Sequence, residues 1–274
     1  PTDECPPSFP AKLAAWLAAR HEASLDGGGG IVSVLPLELI EDNGGALRQI
    51  VRRHANDWQL GAEFEIWLDA CVEFRSTLVD RIVTKPAPDE DPLLVIAEPY
   101  HLLAVQAAAP PSRAAAGARK KRAREENDDD DGGGSGGGGG ELERRLRLRS
   151  AGLNVVYTHH LDELRTRKVR LLNGAHHTLV FLGLRAGLGN VRECVEHPIL
   201  GERLLEHVLR HEVIPTLSPA PAGATAPGGS GGSGDVDEAA HRAELDGYVS
   251  SVLERFRNPF LDHRLTSIAL NSAA

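Results

Sequence analysis

Glycine-rich, low-complexity runs interrupt this chain and limit where it can fold. Three of them stand out, at residues 27–30, 132–140 and 227–234. Glycine loses more conformational entropy on ordering than any other residue and buries no side chain, so such runs predict flexible loops. The middle run ends a longer segment that has no hydrophobic periodicity and carries a basic cluster followed at once by an acidic one. We therefore predict a disordered insertion or linker at 107–149, between two parts that fold.

Before this linker, strand and helix patterns alternate. Short apolar runs, rich in Ile, Val and Leu and bounded by Gly or Pro, predict strands at 30–35 and 93–97. Apolar residues at helical spacing predict helices at 9–20, 46–56 and 63–71. Alternation of this kind is typical of an α/β layer domain, which we place at 1–106.

After the linker, the patterns are almost entirely helical. One strand is predicted at 153–157. Long periodic segments predict helices at 168–188, 200–214, 238–257 and 260–271. The predicted fold class is therefore an α/β domain followed by an all-α C-terminal domain at 150–274.

Composition excludes several classes of protein. The formal net charge of −9 argues against a general nucleic-acid binder, which needs excess Lys and Arg on one face. No apolar run reaches the roughly 20 residues that span a bilayer, so no membrane partner is expected. The cysteines, Cys5, Cys71 and Cys194, form no CxxC pair, which favours reduced thiols in a cytoplasmic protein over a disulfide framework or a metal site. The chain contains no methionine, which indicates a processed product or a piece of a longer chain.

The segment 168–176 carries the most chemistry. On an ideal helix Lys168, Asn173 and His176 fall within an arc of about 140°, so an ammonium, an amide and an imidazole converge. Interconversion of an alcohol and a ketone requires such a set, because a base removes the hydroxyl proton and donors hold the developing alkoxide. Lysine serves as the base only where burial or a nearby cation lowers its pKa. The alternative is an ordinary amphipathic helix with a surface Lys and hydrogen-bonded Asn and His. The mid-helix Gly174 hints at a close approach to the backbone.

Two further patterns place polar residues beside predicted strands. Asp80 and Arg81 interrupt an apolar run at 77–83, where buried charges must either pair or face a site. Asn43 lies in the turn-like sequence at 38–44. Taken alone, the first pattern also fits a solvated ion pair on an edge strand, and the second an Asn-Gly turn without chemistry.

The ordered parts resemble the mannitol dehydrogenase family, the polyol-specific long-chain dehydrogenases. Six motifs in family order carry the resemblance. They are SFPAKL at 8–13, ELIEDNG at 38–44, TLVDRIVT at 77–84, DPLLV at 91–95 with EPYH at 98–101, KVRLLNGAH at 168–176, and RFRNPF at 255–260 with His263. Within the family, the chain is most similar to the branch that interconverts tagaturonate and altronate.

The resemblance implies an NAD-dependent, metal-independent dehydrogenase acting on a sugar acid or polyol. It implies Lys168 as the general acid/base, with Asn173 and Asn43 polarising the carbonyl or holding the alkoxide. His176 would hydrogen-bond the substrate. Asp80 would lie beside substrate and nicotinamide, Asn43 would also contact the cofactor, and His263 would be a further substrate contact.

The chain departs from the family pattern in several places. The first domain would be the remainder of a Rossmann-like domain, because no glycine fingerprint for the pyrophosphate is present; we expect the chain by itself to be inactive. Ser76 stands where the family usually shows Asn. Other substrates of the family, mannitol with fructose or fructuronate with mannonate, stay open. So does a non-catalytic relative that acts as a binding or scaffold protein.

Overall fold

The chain folds into two units. The computed structural model describes residues 5–24, 30–84, 91, 93–107, 140–217 and 238–272. One unit takes the described residues of Pro1–Val79 and Leu103–Leu161, and the other those of Asp80–Leu102 and Asp162–Ala274. The predicted boundaries differ from these units, because the chain leaves the first unit at Asp80, returns to it at Leu103 and leaves it again after Leu161.

Apolar helix faces and short parallel strands form the first unit. Its helices are α1 (Phe9–Ser24), α2 (Asn43–Asp57) and α3 (Gly61–Cys71), each near its predicted position. Strand β1 (Val32–Val34) pairs in parallel with β2 (Val72–Phe74), with α2 and α3 crossing over between them. Buried side chains from these elements make one core, which includes Ala14, Leu17, Val51, Phe64 and Leu68.

A second sheet of this unit joins distant parts of the chain. Its order is β3 (Thr77–Asp80), β6 (Leu102–Gln106) and β7 (Val155–Thr158), and β6 runs parallel to β7. Parallel strands linked through helices are typical of the α/β class, so the predicted fold class of this part is confirmed.

The predicted linker is wrong at its C-terminal end. Residues 140–146 form α4 (Gly140–Leu146), which has Glu in its first turn and Arg in its last, as the helix dipole favours. Leu142 is fully buried against Val105 and Val155, so this helix belongs to a core rather than to a flexible tether. Residues 108–139 of the predicted insertion lie outside the described residues.

The described residues of the second unit are mostly helical, with one small hairpin and an isolated bridge between Asn190 and Arg264. Strand β4 (Val83–Thr84) pairs antiparallel with β5 (Ile96–Ala97). The predicted buried strand at 93–97 is wrong in extent, because Leu93 and Val95 are exposed and only its last two residues pair.

The helical segments of the second unit follow in chain order. They are α5 (Leu161–Arg167), a π-helical segment (Lys168–Asn173), α6 (Gly174–Arg185), α7 (Val191–Glu196), two further π-helical segments (Pro198–Glu206 and Val208–Val213), a 3-10 turn (Ile214–Thr216), α8 (Glu238–Phe256) and α9 (Leu265–Ser272). None of the helices in the described ranges is long and apolar enough to cross a membrane.

Close backbone approaches set the packing of these helices. A Cβ added at Gly201 would lie 1.9 Å from the carbonyl oxygen of Val195, and one at Gly183 would lie 2.4 Å from the Cys194 sulfur. Both glycines are therefore required for packing. The fully buried side chains around them include Leu171, Leu179, Leu205, Leu209, Val249 and Leu265. This core confirms the predicted all-α character of the C-terminal part.

Candidate active site

The segment that holds Lys168 is not an ordinary α-helix. The chain passes from α5 into the π-helical Lys168–Asn173 and on into α6 without leaving helical backbone angles. The predicted α-helix over 168–173 is therefore wrong in type. A π-helix closes hydrogen bonds between residues five apart, and this brings Lys168 and Asn173 to neighbouring positions on one side. Such π-helical turns occur frequently at functional sites.

None of the described residues packs closely against Gly174. A Cβ there would meet only the Val169 carbonyl oxygen, at an ordinary 3.7 Å. The predicted close approach to the backbone at this glycine is wrong.

Lys168 is half-buried, and its surroundings favour the neutral amine. Burial lowers the pKa of Lys168 below its usual value because the charged form loses hydration. The Asp80 carboxylate opposes this shift, and the Arg255 guanidinium adds to it. Burial and the Arg255 charge thus both lower the pKa of Lys168, as general base catalysis by a lysine requires.

Asp80 lies in a buried cluster of three charged side chains. Its carboxylate accepts from Arg255 Nη2 at 2.8 Å and from Nη1 at 3.2 Å. Arg255 also donates to Glu98, from Nη2 at 2.7 Å and from Nε at 3.0 Å. Asp80, Glu98 and Arg255 are 2%, 1% and 8% exposed. The buried charge at Asp80 is paired, as predicted, but its partner is Arg255 rather than Arg81, which is exposed and donates to the Glu98 carbonyl oxygen.

Two tyrosines surround this ion cluster. The Arg255 guanidinium lies 4.1 Å from the ring centroid of Tyr100. The Tyr248 hydroxyl donates to Asp80 at 3.4 Å, and Arg167 lies over the Tyr248 ring at 4.7 Å. Burial, followed by the charge of Asp80, raises the pKa of both tyrosines, so both stay neutral donors.

His176 presents one ring nitrogen without a partner. Its ring packs against Phe256 at 4.4 Å and edge-on to His263 at 4.7 Å between centroids. The ring hydrogen-bonds to the backbone of Leu172. Nε2 is buried and has no hydrogen-bond partner among the described residues. Burial lowers the pKa of His176 to about 3, so the imidazole is neutral. A neutral ring bonded to a carbonyl through Nδ1 leaves Nε2 as an acceptor.

The other predicted residues of this unit lie close by. His263 contacts His176, and burial lowers the pKa of His263 as well. Asn173 is half-buried at the end of the π-helical segment. The second unit therefore contains Lys168, Asn173, His176, Asp80 and His263 together.

Asn43 belongs to the first unit and is bonded to its own surroundings. Its Nδ2 lies within hydrogen-bond distance of the Pro36, Glu38 and Thr77 carbonyl oxygens, at 3.1, 2.9 and 3.3 Å. Its Oδ1 accepts from the Thr77 amide at 2.9 Å. The side chain is 3% exposed and ties the turn before α2 to the start of β3. The amide is thus occupied by backbone, and its catalytic and cofactor roles stay predictions.

Sequence reasoning missed Arg255 and Glu98 as members of the site. Both lie in motifs that carry the family resemblance, RFRNPF and EPYH, but the motifs by themselves indicate no role for them. A charged residue at a helical position that would otherwise be apolar is a signal that could have found Arg255.

Two solved structures share this fold, and both are polyol dehydrogenases. D-sorbitol dehydrogenase in substrate-free form aligns with a TM-score of 0.63 and 22% identity over 95% of this chain and 45% of that chain. Pseudomonas fluorescens mannitol 2-dehydrogenase, a ternary complex with NAD and D-mannitol, aligns with a TM-score of 0.58 and 19% identity over 96% and 43%. The fold of this chain is therefore the one found in these two dehydrogenases.

Two domain families match, one after the other along the chain. The mannitol dehydrogenase Rossmann domain matches residues 3–114, and the mannitol dehydrogenase C-terminal domain matches residues 160–226. The chain belongs to the mannitol dehydrogenase family.

Curated relatives cover nearly the whole chain. Altronate oxidoreductase of Halalkalibacterium halodurans is 32% identical over 98% of this chain and 44% of its own length. The enzymes of that name from Yersinia pestis and Bacillus subtilis are 35% and 30% identical over 98% and 97% of the chain. The chain spans about half the length of the curated relatives it matches.

Proposed function

We propose that the protein is an NAD-dependent oxidoreductase that interconverts a keto-hexuronate and its sugar acid, tagaturonate and altronate. The single observation that carries the chemistry is the half-buried Lys168, whose pKa is lowered, on a π-helical segment beside Asp80 and Arg255. The choice of substrate rests on the altronate oxidoreductases to which the chain is similar.

Lys168 would act as the general acid and base. In ketone reduction its ammonium donates a proton to the oxygen that becomes the hydroxyl. In alcohol oxidation the neutral amine removes the same proton. Burial lowers the pKa of Lys168, so the neutral amine forms more readily than in an exposed lysine, which favours its action as a base.

The neighbouring side chains would orient the substrate. The acceptor Nε2 of His176 suits a substrate hydroxyl, because a buried acceptor without a partner is stabilised by gaining a donor. Asn173 would donate to the developing alkoxide from the same side of the helix as Lys168. His263, packed against His176, would be a further substrate contact.

The cofactor would be NAD, which when bound supplies or accepts the hydride. The parallel pairs of the first unit suit a nucleotide-binding domain. Asn43 and Asp80 fit direct contact less well, because Asn43 is bonded to backbone and Asp80 to Arg255 and Tyr248. We assign both a positioning role in cofactor and substrate binding.

Two other substrate pairs of the family, mannitol with fructose and mannonate with fructuronate, are the alternatives. The sorbitol and mannitol dehydrogenase folds make the neutral polyols worth testing. A panel of uronates and neutral sugars, each assayed for NADH oxidation, separates these substrates. Turnover with neither class would instead favour the non-catalytic binding protein.

We place the reaction in the cytoplasm, with small-molecule partners only. The buried cysteines of the described residues, Cys71 and Cys194, form no disulfide, which suits a reducing compartment. We infer no nucleic-acid or membrane partner.

The decisive experiment compares Lys168→Ala with Lys12→Ala in the full-length protein. Lys12 is exposed on α1, so its removal should leave turnover unchanged. Loss of a general acid/base should lower kcat by about 100- to 10,000-fold. Full activity of Lys168→Ala would refute Lys168 as the base, and absence of wild-type turnover with every hexuronate and ketose would refute the enzymatic proposal.

A further inference from the structure

The ion cluster of the second unit contains a carboxylate that the proposed reaction does not use. Glu98 is 1% exposed, and its carboxylate accepts from Arg255 Nε and Nη2. Burying a carboxylate is costly, so its presence calls for a reason beyond packing.

Glu98 is itself held firmly by the hairpin that carries it. Its Oε1 accepts from the Ile82 amide at 2.6 Å, and its own amide donates to the Ile82 carbonyl at 3.1 Å. Its carbonyl oxygen accepts from Arg81 Nε at 2.9 Å. Bonds at both backbone and side chain leave the carboxylate little freedom.

Arg255 is held in one orientation as a result. Its Nε and Nη2 donate to Glu98, while Nη1 and Nη2 donate to Asp80. The Tyr100 ring covers the guanidinium at 4.1 Å. Such fork-like pairing with two carboxylates fixes a planar guanidinium in direction as well as in distance.

The charges of Asp80 and Arg255 both act on Lys168. Around Arg255 lie Glu98, Asp80 and Tyr100, and its charge also reaches Tyr248 and the neutral His176. Arg167 stacks on Tyr248 at the edge of this group. Glu98 therefore acts on Lys168 through Arg255.

We propose that Glu98 is a positioning residue of this site, which fixes the Arg255 guanidinium between Asp80 and Tyr100 and so sets the charge that Lys168 experiences. The proposal deepens the proposed function and rests on it for its catalytic meaning. Without Glu98, part of the Arg255 charge is no longer compensated, and the guanidinium is free to neutralise Asp80 more completely. Both changes favour the neutral amine at Lys168.

The test is a titration of Lys168 in Glu98→Gln, followed by NMR of ¹³C-methylated lysines. The other lysines, Lys12, Lys85, Lys120 and Lys121, serve as internal references. Gln keeps the size of the side chain and an acceptor for the Ile82 amide but removes the charge. The Lys168 titration should move to lower pH by about half to one unit. In the turnover assay, the acid limb of alcohol oxidation should move the same way.

The control is Glu206→Gln, which removes a carboxylate from Arg210 in the same unit. It should leave the Lys168 titration unchanged, since a loss of stability alone does not move a titration midpoint. If Glu98→Gln fails to fold, Glu98→Asp keeps the charge but shortens the reach, and a smaller shift in the same direction is expected.

An unshifted Lys168 titration in the folded Glu98 variant would overturn the proposal. A shift without any turnover by the wild type would leave the positioning role standing and refute the proposed reaction. Wild-type turnover with a pH profile that does not change in the Glu98 variant would support the proposed reaction and refute the positioning role of Glu98.

Discussion

Replacing Arg255 with Met should strongly destabilise the helical unit. The substitution keeps much of the side-chain bulk but leaves Asp80 and Glu98, 2% and 1% exposed, without their shared cation. The Ile82 amide and the Tyr248 hydroxyl remain as donors, but neither carries a charge. Breaking a buried ion pair by removing one partner costs about 3–5 kcal/mol.

A matched control lies nine positions further along the chain. Arg264 pairs with Asp262 at 2.6 Å, but these side chains are 68% and 56% exposed. An exposed pair contributes about 0–1 kcal/mol, so Arg264→Met should change the free energy of unfolding by no more than that. The same chemical change at two degrees of burial thus isolates the effect of the buried charges.

Denaturant unfolding with two probes measures the loss. Far-ultraviolet circular dichroism follows the helices of both units, while the tryptophans, Trp16, Trp58 and Trp67, all belong to the first unit. In Arg255→Met, the circular dichroism transition should shift to lower denaturant concentration by more than the tryptophan fluorescence transition does. A loss below about 1 kcal/mol, equal to that of Arg264→Met, would refute the reasoning.

Three further predictions follow from the described residues. Because burial lowers the pKa of His176 to about 3 from an ordinary value of 6.5, the unfolded chain binds a proton between these limits that the folded chain does not. Stability is fully present above about pH 6.5 and declines as the pH falls toward 3, so His176→Gln should flatten the curve of unfolding free energy against pH in this window; an unchanged slope would contradict the burial. Asn43→Ala should cost about 1–3 kcal/mol, read by tryptophan fluorescence, since backbone groups lose their partner. Asn56 is exposed on the same helix, and Asn56→Ala should change the free energy of unfolding by no more than about 0.5 kcal/mol. Equal losses of stability in the two variants would contradict the structural role given to Asn43. Gly201→Ala should destabilise by at least about 1–3 kcal/mol because its Cβ would overlap a carbonyl oxygen, whereas Gly174→Ala should be neutral or stabilise by up to about 1 kcal/mol. Thermal unfolding of the two glycine variants checks the contrast, and the opposite order would contradict the packing.

Local patterns predicted the elements with good accuracy and their extents less well. Helices α1, α2, α3 and α8 begin and end within a few residues of the predicted positions, because apolar spacing is a local property. The predicted strand at 93–97 and the linker end at 140–149 were wrong in extent. Burial of Leu142 depends on strands far away in the sequence, and no local pattern reveals it.

The sequence by itself determined the order of an α/β part and a helical part, and the motif that carries Lys168, Asn173 and His176. Only the tertiary structure decided which charges face Lys168. Asp80 ends β3 and Arg255 lies on α8, 175 positions further along the chain, so no local pattern predicts that they pair. The sequence also does not reveal the π-helical form of Lys168–Asn173, because six residues are too few for their apolar spacing to distinguish an α-helix from a π-helix.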